Sequence, residues 1–453
     1  MTVSMKHFAG TSGLTVLAED QATPANGMVA YATSTYATGW INGDIKGAFL
    51  SDTSATNLVG SGELITNGTF DTDVSGWTAS NAVISWDAAG YIVVDDTADA
   101  GADSNASQSI TTVVGKTYVL SVDRISTTSA FWLEVSGATQ LVYTGSLGAT
   151  TGPYSVTFVA NSTSTSIRLI TSGTGVTKYD NVSVKLADAD RSVNNKGLIV
   201  NGTITRTAVA SGADLVAYSG FSSSNYLEQP YNSDLDFGTG DFAIIGWIKQ
   251  AANSAIETIL ERDSAVSAQR FTIAVDASGF LTFTCDDDTT ARTATSTVAI
   301  DNNVWTHFVA LYDGAGALKI YLNGALNDTE TGSALLTLNN ASAVLRIGLA
   351  VDDGEPLTNA SLALMRISAT VPTADQILKI YNDEKVLFQT NAKATLYGAS
   401  DAVTALSHDP DTDLLHVGTS AGRSVFQGLR RISNTTTAVS TAISANNGVI
   451  AEQ

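Results

Sequence analysis

The feature that most constrains this chain is a succession of short segments in which β-branched and aromatic residues alternate with polar ones. Gly, Asn, Asp and Ser cut them apart at short intervals. Residues 116–124, 131–135, 154–159 and 166–170 form one such series, and residues 242–248, 270–275, 280–283, 305–312 and 318–322 form a second. A period of two puts one face of each segment in a core, and strands this short with turn residues between them pair antiparallel. The fold class expected is therefore all-β. Two antiparallel β-sandwiches stand in series over residues 63–187 and 188–388, with an irregular N-terminal arm over 1–62 and a small β-rich C-terminal module over 389–453.

Local signals refine this plan. Asn323-Gly324 follows a strand segment and predicts a tight hairpin turn. Thr373-Ala-Asp-Gln376 after Pro372 has capping-box form. Ile377, Ile380 and Tyr381 then give a helical stripe, so one helix is expected there. Leu64-Ile-Thr-Asn-Gly-Thr-Phe70 is similar to Leu198-Ile-Val-Asn-Gly-Thr-Ile204, as if two related sandwiches opened alike. The segment 1–62 has isolated aromatics at Tyr31, Tyr36, Trp40 and Phe49 but no sustained period. It buries little alone and is read as an attachment arm that packs on a partner or on the next domain. Near the C-terminus, 402–418 reads as strand, Asp/Pro turn, strand, and the tail from Ser433 is rich in Thr, Ala, Ser and Asn.

Charge narrows the partners. The 453 residues carry a net charge of −21, with only 15% charged residues against about 25% in an average soluble protein. Residues 188–388 hold −12 of that charge. Such a surface repels phosphate backbones and anionic lipid, so neither nucleic acid nor membrane insertion is expected. No apolar run reaches the ~20 residues of a membrane span. Cys285 is the sole cysteine, which excludes an internal disulfide framework and zinc sites built on cysteine pairs. No apolar stretch follows Lys6, so no secretory signal is expected, although the composition looks extracellular. A virion protein made in a host cytoplasm reconciles the two.

Residues 63–187 resemble the jelly-roll carbohydrate-binding modules of the galactose-binding-like class. The resemblance rests on Glu63-Leu-Ile-Thr-Asn-Gly-Thr-Phe-Asp71, Ser75-Gly-Trp77 and Tyr179-Asp-Asn-Val-Ser-Val184. It implies a structural Ca²⁺ held by Asp71 and Asp180, with Glu63 as a further ligand; Ca²⁺ takes several hard oxygens at once. The rival reading of Asp180-Asn181 is a simple turn cap. Residues 200–388 resemble the laminin-G-like, concanavalin-A-like lectin sandwich. That resemblance rests on Leu235-Asp-Phe-Gly-Thr-Gly-Asp-Phe242, Gly246-Trp247, Trp305-Thr-His307, Leu318-Lys-Ile-Tyr-Leu-Asn-Gly324, Leu345-Arg-Ile-Gly348 and the helix at 373–381. The whole arrangement looks like a structural protein of a tailed bacteriophage.

Sugar recognition needs aromatic faces beside hydrogen-bonding groups. In the first sandwich Trp86, Tyr91, Trp132 and Tyr143 are the candidate carbohydrate-binding residues, whereas Trp77 matches a core position of the resembled family. Catalytic residues are not assigned. Glycosidases of the lectin-like fold pair carboxylates across a strand, and no Glu-x-Asp-x-Glu triplet occurs here. Glu257, Glu261 and Asp263 lack the spacing, and Asp286-Asp287-Asp288 reads as a solvated loop or a cation site. The four histidines are scattered, and neither a Gly-x-Ser-x-Gly elbow nor a phosphate-binding loop is present.

The expected protein is a non-enzymatic structural component of a tailed phage virion, a tail-fibre or tail-associated adhesion subunit that binds host surface polysaccharide. Its arm would dock to other virion proteins, and it would assemble as a homo-oligomer, a trimer by family style. The alternatives are a capsid decoration or head-fibre protein, a glycan depolymerase and a secreted adhesin.

Overall fold

The computed structural model describes residues 13–18, 27–97, 104–128, 130–138, 142–143, 151–264 and 269–453, with only the backbone of Val142, Tyr143 and Ser172. Among these residues the chain is all-β, with several antiparallel sheets and one α-helix. The first sandwich sets a five-stranded sheet against the strands Val83–Asp87, Tyr91–Asp95, Thr117–Thr127, Gly152–Val159 and Val176–Asp188. Ile92, Val94, Leu120, Val122, Phe131, Leu133, Ile167, Leu169 and Val184 fill the space between. These are the inward positions of the alternating segments.

The two sandwiches are not beads on a linker. Ala187 pairs with Ile199 and Asp188 with Leu198, so a sheet of the first sandwich continues into the second. Twelve strands share it among the described residues. Facing its second half is a nine-stranded sheet built around Phe242–Gln250, Trp305–Tyr312 and Ala360–Ser368. Phe242, Ile244 and Ile248 enter the core between these sheets. Ala243, Ile245 and Trp247 enter a separate core on the opposite face, beneath the helix and the C-terminal strands. A strand covered on both sides needs apolar residues at every position, which is why 242–248 reads as an almost unbroken apolar run.

The predicted turn and helix are both present. Asn323 and Gly324 have φ of 49° and 83°, the double left-handed turn of a tight hairpin. The helix spans Ala374–Glu384; the Thr373 hydroxyl accepts from Gln376 N while the Gln376 side chain accepts from Thr373 N.

Two expectations are corrected. The described part of the arm from residue 27 onward is woven into the second sandwich. Ile45–Phe49 pairs with Ala360–Ser368, Leu58–Val59 pairs with Thr203–Ala208, and Phe49 and Leu50 are 1% exposed in the core. The similar heptapeptides also differ in structure. Leu198–Asn201 is a strand, whereas 64–70 is irregular and bent, with Asn67 and Phe70 at positive φ.

The same N-terminal segment clamps the connection between the sandwiches. Asp52 accepts from Arg191 Nη2 at 2.5 Å and from Arg206 Nη1 at 2.9 Å. Ala48 N donates to Asp190 and Asn194 Nδ2 donates to Ile45 O. At the other end of the chain, Val403–Asp409, Leu414–Thr419, Gly422–Gln427 and Arg430–Asn434 form a four-stranded meander, followed by the hairpin Ile443–Asn446 and Val449–Glu452.

Candidate functional site

A groove of about 630 Å³ lies where the sandwiches meet. That is within the ~300–1,000 Å³ common for ligand sites. Alternation builds its floor. On Thr117–Thr127, Val122 and Arg124 turn inward, which leaves Ser121, Asp123 and Ile125 outward. On Val176–Asp188, Val182 and Val184 turn inward, which leaves Asn181, Ser183 and Lys185 outward. Ser121 pairs with Ser183 across the ladder, so these residues share one face. The second sandwich supplies the wall with Glu228, Pro230, Tyr231, Ser342 and Val344.

The wall has one fixed ring. Tyr231 donates its hydroxyl to Asp236 Oδ2 at 2.7 Å, and burial together with that carboxylate pushes its phenol up to about 12. Tyr154 lines the end of the groove and packs edge-on against Phe131, with ring centres 5.3 Å apart. Asn181 donates to Asp123 Oδ2 at 2.8 Å, and Glu228 holds Arg346 at 2.8 Å. Lys185 forms no ion pair among the described residues. The result is a polar floor of hydroxyl, amide, carboxylate and ammonium groups beside a rigid part-buried aromatic wall. Such groups can exchange hydrogen bonds with a hydroxyl-rich ligand, and the ring offers it an apolar face.

The sequence-predicted aromatics are not gathered in one place. Tyr91 lies on the same sheet as the groove floor, on the strand Tyr91–Asp95 beyond Val176–Asp188. Trp86 sits on the neighbouring edge strand, 40% exposed, with its Nε1 donating to Phe70 O at 2.7 Å. Trp132 belongs to the other sheet, opposite Ile170, and is 8% exposed. The Tyr143 side chain lies outside the described residues. Tyr231 was missed because it stands in a loop after Pro230, outside any period. Only that Pro-Tyr step hinted at a held turn.

The three calcium candidates are also divided. Glu63 Oε1 accepts from the backbone N–H groups of Leu64, Ile65 and Val184, and its Oε2 accepts from Ser183 at 2.6 Å. This carboxylate already ties the opening segment to the closing strand and does not fit as a metal ligand. Asp71 accepts from Thr69 Oγ1 at 2.9 Å. Burial pushes the Asp180 carboxyl above its usual range, and the charges of Asp123 and Asp71 add to the shift. Among the described residues no three acidic, His or Cys side chains are gathered as a metal set.

The remaining polar candidates have structural partners. Glu257 accepts from Gln250, Thr358 and Asn359, and Glu261 accepts from Thr272 and Val351 N. Both are buried. Asp287 anchors its loop by accepting from Thr289, Thr290 and Leu336, and these hydrogen bonds outweigh burial and hold its carboxyl down at about 2. His307 is fully buried against Trp247, and burial and Arg366 hold it neutral.

Residues 221–378 match the family described as the concanavalin A-like lectin/glucanases superfamily, laminin G type. The match falls within the second sandwich, whose antiparallel sheets are similar to a laminin-G/concanavalin-A-like lectin fold. No curated protein matches the chain. Several solved structures are similar to part of the chain. The binding domain of Paraclostridial Mosquitocidal Protein 1 has 16% identity and a TM-score of 0.38, over 52% of this chain and 62% of that one. The receptor binding domain of botulinum neurotoxin C/D mosaic serotype has 13% identity and a TM-score of 0.37, over 53% of this chain and 59% of that one. Domain 4 of AbnA, a GH43 extracellular arabinanase from Geobacillus stearothermophilus in complex with arabinotriose, has 16% identity and a TM-score of 0.34, over 43% and 92%. The chain thus spans about three fifths of the two toxin domains. Likenesses this distant carry no argument about ligand.

Proposed function

We propose that this chain is a non-enzymatic carbohydrate-binding protein whose site is the groove between the two sandwiches. One observation carries the reading. The outward hydroxyl, amide and charged groups of Ser121, Asp123, Asn181, Ser183 and Lys185 face a cleft whose wall is the fixed ring of Tyr231. A pyranose presents an apolar face to such a ring and its hydroxyls to such a floor. The commitment of Glu257 and Glu261 to neighbouring groups supports binding over hydrolysis.

The biological setting we propose is a tailed-phage virion, with the chain as a tail-fibre or tail-associated adhesion subunit that meets host surface glycan. The small-residue-rich, acidic composition and the serial sandwiches support it, and a homo-oligomer would cover exposed sheet edges. A glycan array with the full chain tests the binding, and Tyr231→Ala tests the site. Loss of the array signal in the variant is expected; an unchanged signal moves the site elsewhere. Immunogold imaging of particles tests the setting, since tail labelling supports it and capsid labelling favours a decoration protein.

A further inference from the structure

A second groove, of about 680 Å³, lies between the helix and the C-terminal meander. Its charges are almost all matched within the fold. Asp383 accepts from Trp40 Nε1 at 2.8 Å and from Lys379 Nζ at 2.6 Å, and His408 Nε2 lies 3.1 Å from Asp413. Asp375 stands in the first turn of the helix, where the macrodipole favours it. Arg430 is the exception. The chain has 12 arginines, all among the described residues. The others have an ion pair, a hydrogen bond or, for Arg124, an aromatic ring 4.2 Å beneath. Among the described residues the Arg430 side chain has neither hydrogen bond nor ion pair, its Nε is buried without an acceptor, and the residue lines the groove.

We infer that this groove binds a carboxylate-bearing sugar, with the Arg430 guanidinium forking the carboxylate. A guanidinium presents parallel N–H groups that match a carboxylate's two oxygens. Leu378, Val386, Leu415 and Phe426 give the groove an apolar side for a pyranose face. The amides of Asn382 and Gln427 stand at its rim for hydroxyls. This site shares no lining residue with the groove between the sandwiches, so it stands or falls independently of that reading.

The experiment is calorimetric titration of the full chain with oligogalacturonate and with its carboxyl-reduced, neutral counterpart. Saturable binding of the acid is expected, weakened about tenfold or more by Arg430→Gln and less by Arg430→Lys. The expected profile also leaves affinity for the acid unchanged in Tyr231→Ala. Equal affinity for acid and neutral forms, or an unchanged affinity in Arg430→Gln, overturns the inference. In parallel, Arg430 of the wild-type chain is labelled with phenylglyoxal and the adduct mapped by mass spectrometry. Protection by oligogalacturonate supports the site, and undiminished labelling at saturating ligand, or protection by an acidic peptide alone, overturns it. Loss of neutral-glycan binding in Tyr231→Ala, with acid binding intact, separates the two sites.

Discussion

Arg366 and Glu384 meet as a two-pronged ion pair, Nη1 to Oε1 at 2.5 Å and Nη2 to Oε2 at 3.1 Å, with side chains 1% and 0% exposed. The same carboxylate accepts from Trp40 N at 2.8 Å and Trp247 Nε1 at 2.7 Å. One buried charge therefore joins the helix end, the central sheet and the N-terminal segment. Removing one partner strands the other in a dry site. Glu384→Ala is expected to cost about 3–5 kcal/mol in denaturant unfolding. The double variant Arg366→Met with Glu384→Leu is expected to cost less than either single change, because no bare charge remains. A single Glu384→Ala loss under about 1 kcal/mol would show that the pair is not the fastening described here.

The junction between the sandwiches is expected to respond to pH through Asp188. Burial, then the Asp52 carboxylate, push its carboxyl from 3.8 up to about 7, while Arg191 and Arg206 pull it back. The folded value lies above the unfolded one, so the folded chain holds this proton more tightly. The stability it adds is complete below about pH 4 and is lost as pH rises towards 7. Other carboxylates, such as Asp287 at about 2, slope the opposite way. The clean readout is therefore the difference between wild type and Asp188→Asn. The variant is expected to match wild type near pH 4 and to exceed it by on the order of 4 kcal/mol at pH 8. A difference that stays flat across this window removes Asp188 as the titrating group.

Much of the fold was legible because it depends on local rules. Alternation marked Thr117–Thr127 and Ala317–Leu322, Asn323-Gly324 marked their kind of turn, and Thr373 with Gln376 marked the helix start. What escaped were relationships between distant residues. Phe49 and Leu50 carry no period that would betray their place in the lectin-like core, and Glu384 meets Trp40 across more than 340 positions of sequence. The candidate site escaped for a similar reason. Aromatic identity alone does not separate Trp132, buried on one sheet, from Tyr231, held at the wall of a groove formed only when two sandwiches meet.

Calcium, implied by resemblance at Glu63, Asp71 and Asp180, is tested by a change in charge. Glu63 is committed to hydrogen bonds, which leaves Asp71 and Asp180 as the remaining carboxylates of the resemblance, and the charge of Asp71 helps to raise the Asp180 carboxyl. If calcium binds there, millimolar calcium raises the melting temperature of the chelator-treated chain, because a ligand of the folded state stabilises it. Asp180→Asn is expected to abolish that rise. An identical rise in the variant places any calcium elsewhere, and no rise in the wild type leaves Asp180 as a turn residue.

Trp132 and Tyr231 give opposite signatures if the groove binds sugar. Trp132 packs opposite Ile170 at 8% exposure, so Trp132→Ala opens a cavity and is expected to cost about 3–5 kcal/mol of stability. At temperatures where that variant stays folded, its glycan affinity is expected to match wild type. Tyr231 stands at the groove wall and is only part-buried. Tyr231→Ala is expected to leave the melting temperature within a few degrees of wild type, while glycan affinity falls by about 3- to 10-fold, the loss of one ring contact. Affinity lost in Trp132→Ala but kept in Tyr231→Ala would transfer recognition from the junction to the sheet of the first sandwich that carries Trp132.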